Sequence, residues 1–364
     1  MSKYFLIAGE ASGDQHAAAL IEQIRLRDPE AEMTGFGGDR MVAAGCRLYQ
    51  DYRKMAFMGF AAVLKNIGQI RRNFRMAEQA LIAEKPDVLI LIDYPSFNLR
   101  MAEFCRKQLS ATKIYYYIPP KVWAWKKWRI HRLSRLCDEV LGIFPFEPEF
   151  YAKYGYKCTY VGNPTAERIQ STNTIVAADK IAILPGSRLS EVTNCLPRML
   201  EAARRFSECE IVVCAAPGID KNVYKSSMHD GEKLTHDTYD AVRNARAAIV
   251  NSGTATLETA LLGCPQVAVY HLALNGLVKV IRPVVQGIMF DIPYFTLVNI
   301  IAGKQVIREL LANDFTTDAV AAELQRLLTD KQYKRDMLAE YEHIRSILGS
   351  SSASTEAAKI ICGH

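Results

Sequence analysis

The chain has no D-x-D triplet, no H-E-x-x-H, no G-x-G-x-x-G and no C-x-x-C pair, and its cysteines and histidines nowhere cluster at metal spacing. Each absence removes a class of chemistry. Without an acidic triplet or a histidine set there is no ligand group for a catalytic cation. Without the glycine fingerprint a nicotinamide or flavin cofactor has no pyrophosphate loop, so no cofactor is expected. The nine cysteines are odd in number and scattered, several inside apolar runs, which excludes a secreted disulfide scaffold and suits buried, reduced thiols in a cytoplasmic protein. No signal peptide is legible, because the apolar run Tyr4 to Ala8 is short and Glu10 interrupts it. The uncharged stretch Thr259 to Val278 contains Gly263, Pro265, Gln266, His271 and Asn275, the pattern of helix, turn and buried strand rather than a membrane span. Low-complexity tracts and solenoid repeats are also missing. A net charge of +6 permits anionic partners and is weaker than the bias usual in nucleic-acid proteins.

What is present is a folded composition, 49% hydrophobic and 23% charged. At 364 residues, two domains are expected. Short apolar runs alternate with helical patterns, the signature of βα units on a parallel sheet. Strands are expected at 3–8, 32–36, 87–93, 113–118, 139–144 and 158–162. After Asn163-Pro164 the pattern restarts, at 180–186, 209–216, 247–251 and 266–270. The expected fold is therefore α/β, two Rossmann-like doubly wound domains facing a central cleft, where ligands of such sheets bind. Residues 1–164 form the first domain, 165–345 the second, and 346–364 a tail that packs back on the first.

Motifs fall at strand ends. GEASGDQHAA follows the first strand, with Glu10 and Ser12 at a helix start where capping and ligand contact are both open. GFGGDR at 35–40 is a second, weak glycine loop. IDYPSFN delivers Asp93 at the end of an apolar run; spacing alone favours a helix cap slightly over a proton acceptor, since caps are commoner. In the second half, LPGSR places Gly186, Ser187 and Arg188 between strand and helix, where glycine lets a phosphate approach and arginine offers a two-pronged donor. NSGTATLE repeats the theme with Ser252, Gly253 and Thr254 at a helix mouth, and Glu258 one turn deeper can take ribose hydroxyls. Two phosphate-type loops in one domain point to a nucleoside diphosphate held without a metal.

The combination of GEASGD, WAWKKWR, LPGSR and SGTATLE closely resembles the lipid-A-disaccharide synthase family, bacterial glycosyltransferases of the two-lobed GT-B type, over essentially the whole chain. The resemblance implies an inverting, metal-independent transfer from UDP-2,3-diacylglucosamine to 2,3-diacylglucosamine 1-phosphate (lipid X), giving the β-1,6-linked lipid A disaccharide 1-phosphate and UDP. It implies Asp93 as base on the acceptor 6-hydroxyl, worth about 10² to 10⁴ in rate, Arg188 and the loop from Ser252 on the diphosphate, Glu258 on ribose, and Glu10 and Ser12 facing the cleft. Three positions depart from the family pattern. Leu297-Val298-Asn299 stands for Leu-Pro-Asn, with Asn299 still a candidate donor contact; Gly162-Asn163-Pro164 stands for Gly-His-Pro; and Lys121 replaces a small residue.

All three tryptophans lie in KVWAWKKWRIHR. Trp123, Trp125 and Trp128 with Lys126, Lys127 and Arg129 offer indole to acyl chains and cations to phosphate or anionic headgroups. A second apolar patch, 55–64, contributes Met58 and Phe60, as core or as acyl contact. The expected protein is cytoplasmic, peripheral on the inner membrane, and compatible with a homo-oligomer. Competing functions are a UDP-sugar epimerase or soluble-acceptor transferase of the same fold, and a single-stranded nucleic-acid binder stacking bases on the tryptophans.

Overall fold

The computed structural model describes residues 2–55, 67–123, 127–169, 179–251, 253–271 and 294–363. They build two compact units, Met1–Glu167 with Ser350–His364, and Arg168–Gly349. The crossing falls inside the helix Pro164–Ile169, whose first turn is capped by Asn163 through the Thr165 and Ala166 N–H groups. The helix Lys331–Leu348 ends the second unit.

The first unit contains β1 (Lys3–Ala8), β2 (Glu32–Gly37), β3 (Arg47–Asp51), β4 (Val88–Ile92), β5 (Lys113–Tyr117), β6 (Glu139–Gly142) and β7 (Thr159–Tyr160). They form one sheet in the order β3-β2-β1-β4-β5-β6-β7, with every pairing parallel. Alternation along each strand divides the core in two. Phe5, Ile7, Leu89, Leu91, Ile114 and Tyr116 point to one face; Tyr4, Leu6, Ile90, Ile92, Tyr115 and Tyr117 point to the other. The first face is covered by helices Ile67–Glu84, Pro95–Gln108 and Arg129–Leu136 through Leu81, Met101 and Leu133. The second is covered by helix Ala11–Arg25 and the last helix, Ala353–Cys362, through Leu20, Ile21, Ala357 and Ile361. Each fully buried aliphatic side chain contributes about 1.5–3 kcal/mol.

The second unit repeats the plan with β8 (Lys180–Leu184), β9 (Glu210–Cys214), β10 (Lys233–Thr235), β11 (Ala247–Val250), β12 (Gln266–Tyr270) and β13 (Glu309–Leu311), all parallel, in the order β10-β9-β8-β11-β12-β13. Strands β3, β10 and β13 are additional to those legible in the sequence. Each strand order reverses at one point, between β1 and β4 and between β8 and β11. Ligands of open parallel sheets bind at the carboxyl ends of such a pair.

Eight cysteines are buried and Cys362 is half-buried, and all nine are free thiols. Among the described residues no helix is long and apolar enough to cross a membrane. Of the stretch Thr259 to Val278, the described part is the end of the helix Gly253–Leu261, a turn, and β12.

Candidate active site

In the first unit the reversal point carries Gly9 and Glu10 after β1 and Asp93 after β4. Asp93 and Tyr94 both take left-handed backbone angles, φ 48 and 44, at a strain of about 1–3 kcal/mol each. Asp93 does not cap the following helix: the N-cap of Pro95–Gln108 is Tyr94, with no side-chain cap bond. The cap role favoured by spacing is therefore corrected: the left-handed turn at Asp93 and Tyr94 leaves Tyr94 as the N-cap of a helix that opens on Pro95. Two buried donors hold the turn by the Asp93 carbonyl, Tyr116 Oη at 2.6 Å and Asn98 Nδ2 at 2.7 Å. Tyr94 lies against Gly9 so closely that a Cβ there would sit 2.2 Å from its ring, and its hydroxyl donates to the Met55 carbonyl at 3.1 Å. Burial raises the Asp93 pKa above the ordinary carboxylate value, while Lys121 and the Tyr94 N–H pull it back. A partly desolvated carboxyl with a raised pKa suits a proton acceptor.

A cavity of about 460 Å³ opens beside this turn, lined by Glu10, Met55, Phe74, Tyr94 and Phe97 among others. Ser12 is exposed in the first turn of its helix. Asp14 is buried and serves the GFGGDR loop, accepting from the N–H groups of Gly38 (2.7 Å), Arg40 (3.2 Å) and Met41 (3.1 Å).

At the ends of β5 and β6 lies a second group that the sequence did not announce. Glu147, 1% exposed, accepts from Ile143 N (2.7 Å), Phe144 N (2.9 Å) and Trp123 Nε1 (3.1 Å). Burial raises its pKa to about 7, against the pull of these donors and of Lys121. Trp123 is itself buried, edge-on to Phe144 and Phe146. Its expected place on an acyl or membrane surface is thus corrected: this indole is a core residue, because its N–H is spent on a buried carboxylate. Trp128 is 56% exposed, with the Arg129 guanidinium over its ring at 5.7 Å and half-buried Lys127 beside it. Trp125, Lys126, Met58, Phe60 and Ser252 lie outside the described residues.

In the second unit the reversal point carries Gly186 after β8 and Gly253 after β11, tied together by Asn251, whose Nδ2 donates to the Pro185 carbonyl at 2.9 Å. Gly186 has φ 115, and a Cβ there would meet the Glu191 carboxylate at 2.5 Å. Glu191 Oε2 accepts from the N–H groups of Ser187 (2.9 Å) and Arg188 (3.2 Å), and Oε1 meets Arg188 Nη1 at 3.3 Å. The backbone donors that the LPGSR spacing offers to a phosphate are thus held by the chain's own carboxylate, while the Arg188 side chain stays largely exposed. Thr254 is exposed and Glu258 half-buried on the same helix. Glu258 Oε1 takes Arg168 Nη2 at 2.6 Å and Tyr239 Oη at 3.0 Å.

Asn299 is corrected as a ligand contact. It is 0% exposed; Nδ2 donates to the Ile307 carbonyl and Glu309 Oε1, and Oδ1 accepts from Val306 N and Ile307 N, at 2.8–3.0 Å. All four hydrogen-bonding positions are used to fold residues 295–309.

Two parallel sheets with one shared strand order, each presenting its glycine loops at the reversal point, define an α/β protein of the GT-B class. The fold is similar to a Staphylococcus aureus MnaA–UDP co-structure, with TM-score 0.66 at 12% identity, covering 98% of this chain and 94% of that one. It is also similar to CalG4, the calicheamicin glycosyltransferase, with TM-score 0.62 at 13% identity, covering 100% and 99%. The family model for lipid-A-disaccharide synthetase matches residues 4–361. A lipid-A-disaccharide synthase of Myxococcus xanthus is 36% identical, covering 99% of this chain and 96% of its own length. The chain belongs to the lipid-A-disaccharide synthetase family, and it is a glycosyltransferase of lipid A disaccharide synthesis.

Proposed function

We propose that the chain joins UDP-2,3-diacylglucosamine to 2,3-diacylglucosamine 1-phosphate, with Asp93 as base and no metal ion. The observation that carries this is the strained, doubly held turn that sets a partly desolvated Asp93 at the reversal point of its sheet. Asp93 takes the proton of the acceptor 6-hydroxyl as that oxygen attacks the anomeric carbon of the donor. The bond from the anomeric carbon to the diphosphate breaks on the opposite face, its electron pair leaves with UDP, and the configuration inverts. Arg188 and the amino end of the helix Gly253–Leu261 take up the charge growing on the diphosphate, with Gly186, Ser187, Ser252 and Thr254 at the same strand ends. Among the described residues both partners of Glu258 meet Oε1, and Oε2 takes the ribose hydroxyls. Glu10 and the cavity beside Tyr94 take the acceptor and one acyl chain, with Met58 and Phe60 adjoining in sequence.

Trp128, Lys127 and Arg129, continued by Trp125 and Lys126, form the contact with an anionic inner-membrane surface, an exposed indole ringed by cations being suited to the headgroup region. Flotation with vesicles containing phosphatidylglycerol, and none with phosphatidylcholine alone, is the expected outcome; equal behaviour on both would remove this surface.

Mass analysis of products from the two acylated sugars in micelles tests the reaction. The disaccharide phosphate and UDP form together, in EDTA as without it, and Asp93→Ala lowers turnover by about 10² or more. UDP release from an unacylated donor at the same rate, or epimerisation of UDP-N-acetylglucosamine, would refute it.

A further inference from the structure

From Ile114 to Trp123 every residue is buried except Lys121. The stretch around it is pinned on both sides. Ile118, a β-branched residue held at φ 60, donates its N–H to the Leu141 carbonyl. Val122 N donates to Pro120 O at 2.6 Å, Val122 is fully buried, and Trp123 is fastened to Glu147. Lys121 therefore has a fixed root. Its root leaves the carboxyl end of β5, which pairs with β4 so that Tyr117 lies opposite Ile92, the residue before Asp93. On the other side β5 pairs with β6, whose following loop holds Glu147.

The lysine acts on both carboxyl groups, pulling each toward ionisation. Even so it forms no ion pair within 4 Å among the described residues. Burial of the ammonium lowers the Lys121 pKa, and the two carboxyl groups only partly offset this; a desolvated cation bonded to neither carboxylate gains from a third anion, which can reach it because the residue has exposed surface.

On the assignment of Asp93 as the acceptor's base, the geometry also says which anion. In a hexopyranose the carbon bearing the 6-hydroxymethyl group and the anomeric carbon flank the same ring oxygen. A sugar 1-phosphate that offers its 6-hydroxyl to Asp93 therefore carries its phosphate about one ring width away. Lys121 follows the strand that pairs with β4 and its charge acts on the Asp93 carboxyl, and an ammonium is a suitable point charge for a phosphate monoester. We propose that Lys121 binds the anomeric phosphate of the acceptor sugar beside Asp93, and so selects phosphorylated over unphosphorylated acceptors.

Equilibrium binding without donor tests this independently of turnover. The ligands are 2,3-diacylglucosamine 1-phosphate and its dephosphorylated counterpart in neutral detergent micelles. Wild type is expected to prefer the phosphorylated sugar by tenfold or more. Lys121→Met should lose that preference while binding UDP as wild type does, and Lys121→Arg should restore most of it. Retained preference in Lys121→Met, equal binding of both sugars by wild type, or a shifted pH profile of turnover with unchanged acceptor affinity would each overturn the proposal. Wild type that binds the phosphorylated sugar but yields no disaccharide with donor added would refute the transferase assignment and leave the phosphate site standing.

Discussion

Tyr116→Phe takes one oxygen from the interior and leaves the ring in place. That oxygen donates at 2.6 Å to the Asp93 carbonyl, which keeps Asn98 Nδ2 at 2.7 Å as its remaining partner. The acceptor is thus weakened rather than orphaned, and the expected loss of stability is that of one net hydrogen bond, about 1 kcal/mol. The figure matters because the left-handed angles at Asp93 and Tyr94 store about 1–3 kcal/mol each, so one restraint out of two is comparable with the strain it opposes. With the hydroxyl gone the turn relaxes in part of the population, and a base displaced by about 1 Å loses up to about 10²-fold in rate. Urea unfolding should show a midpoint shift worth about 1 kcal/mol at unchanged slope. Steady-state UDP release should fall between about fivefold and a hundredfold. A variant destabilised by that amount yet turning over at the wild-type rate would show that the hydroxyl supports the fold without holding Asp93, and the account of the strained turn would fail.

Gly9→Ala should cost about 1–3 kcal/mol by driving the Tyr94 ring off its seat, seen as a lowered melting temperature; an unchanged value would mean the ring has room to yield. Glu147 gives a pH signature. Its folded pKa of about 7 lies above the ordinary 4.5, so the folded chain keeps a proton that the unfolded chain releases. Stability therefore falls as pH rises through that window and levels off above it, by about 3 kcal/mol from this group. Urea midpoints at about pH 5 and pH 8 should lose that slope in Glu147→Gln; matching slopes in variant and wild type would contradict the assignment. Asn299→Ala strips partners from several buried backbone groups and should destabilise by about 3 kcal/mol or more, read by denaturant midpoint, while UDP affinity measured on the folded fraction stays within twofold.

Strands flanked by helices on both faces were legible because burial leaves long apolar runs such as Val88–Ile92. The edge strand β3 reads RLYQD, and the edge strands β10 and β13 are only KLT and ELL; edges are part-polar or very short, so they leave no apolar run to read. Gly186 and Gly253 could be placed because a glycine between strand and helix has a local cause. Glu191 filling the donors of its own loop could not, since a capping carboxylate and a phosphate want the same N–H groups. Nor could Trp123 be separated from Trp128 by composition. Their difference is made by Glu147, 24 residues further on. Asp93 was visible as a strand-end acid, but its freedom from capping depends on backbone angles that Tyr116, a neighbour only across the sheet, helps to impose.

The helix Ala353–Cys362 lies in the core of the first unit against Ala11–Arg25, with Glu167 accepting from Ser352 and Ser354 beside it. During synthesis, then, the half of the protein begun first is the half completed last. Until the helix Ala353–Cys362 has been made and has left the ribosome, the part of the first unit's core that Ala357, Ala358 and Ile361 complete stays open, and a nascent chain stalled anywhere in the second unit would expose it to chaperones and proteases.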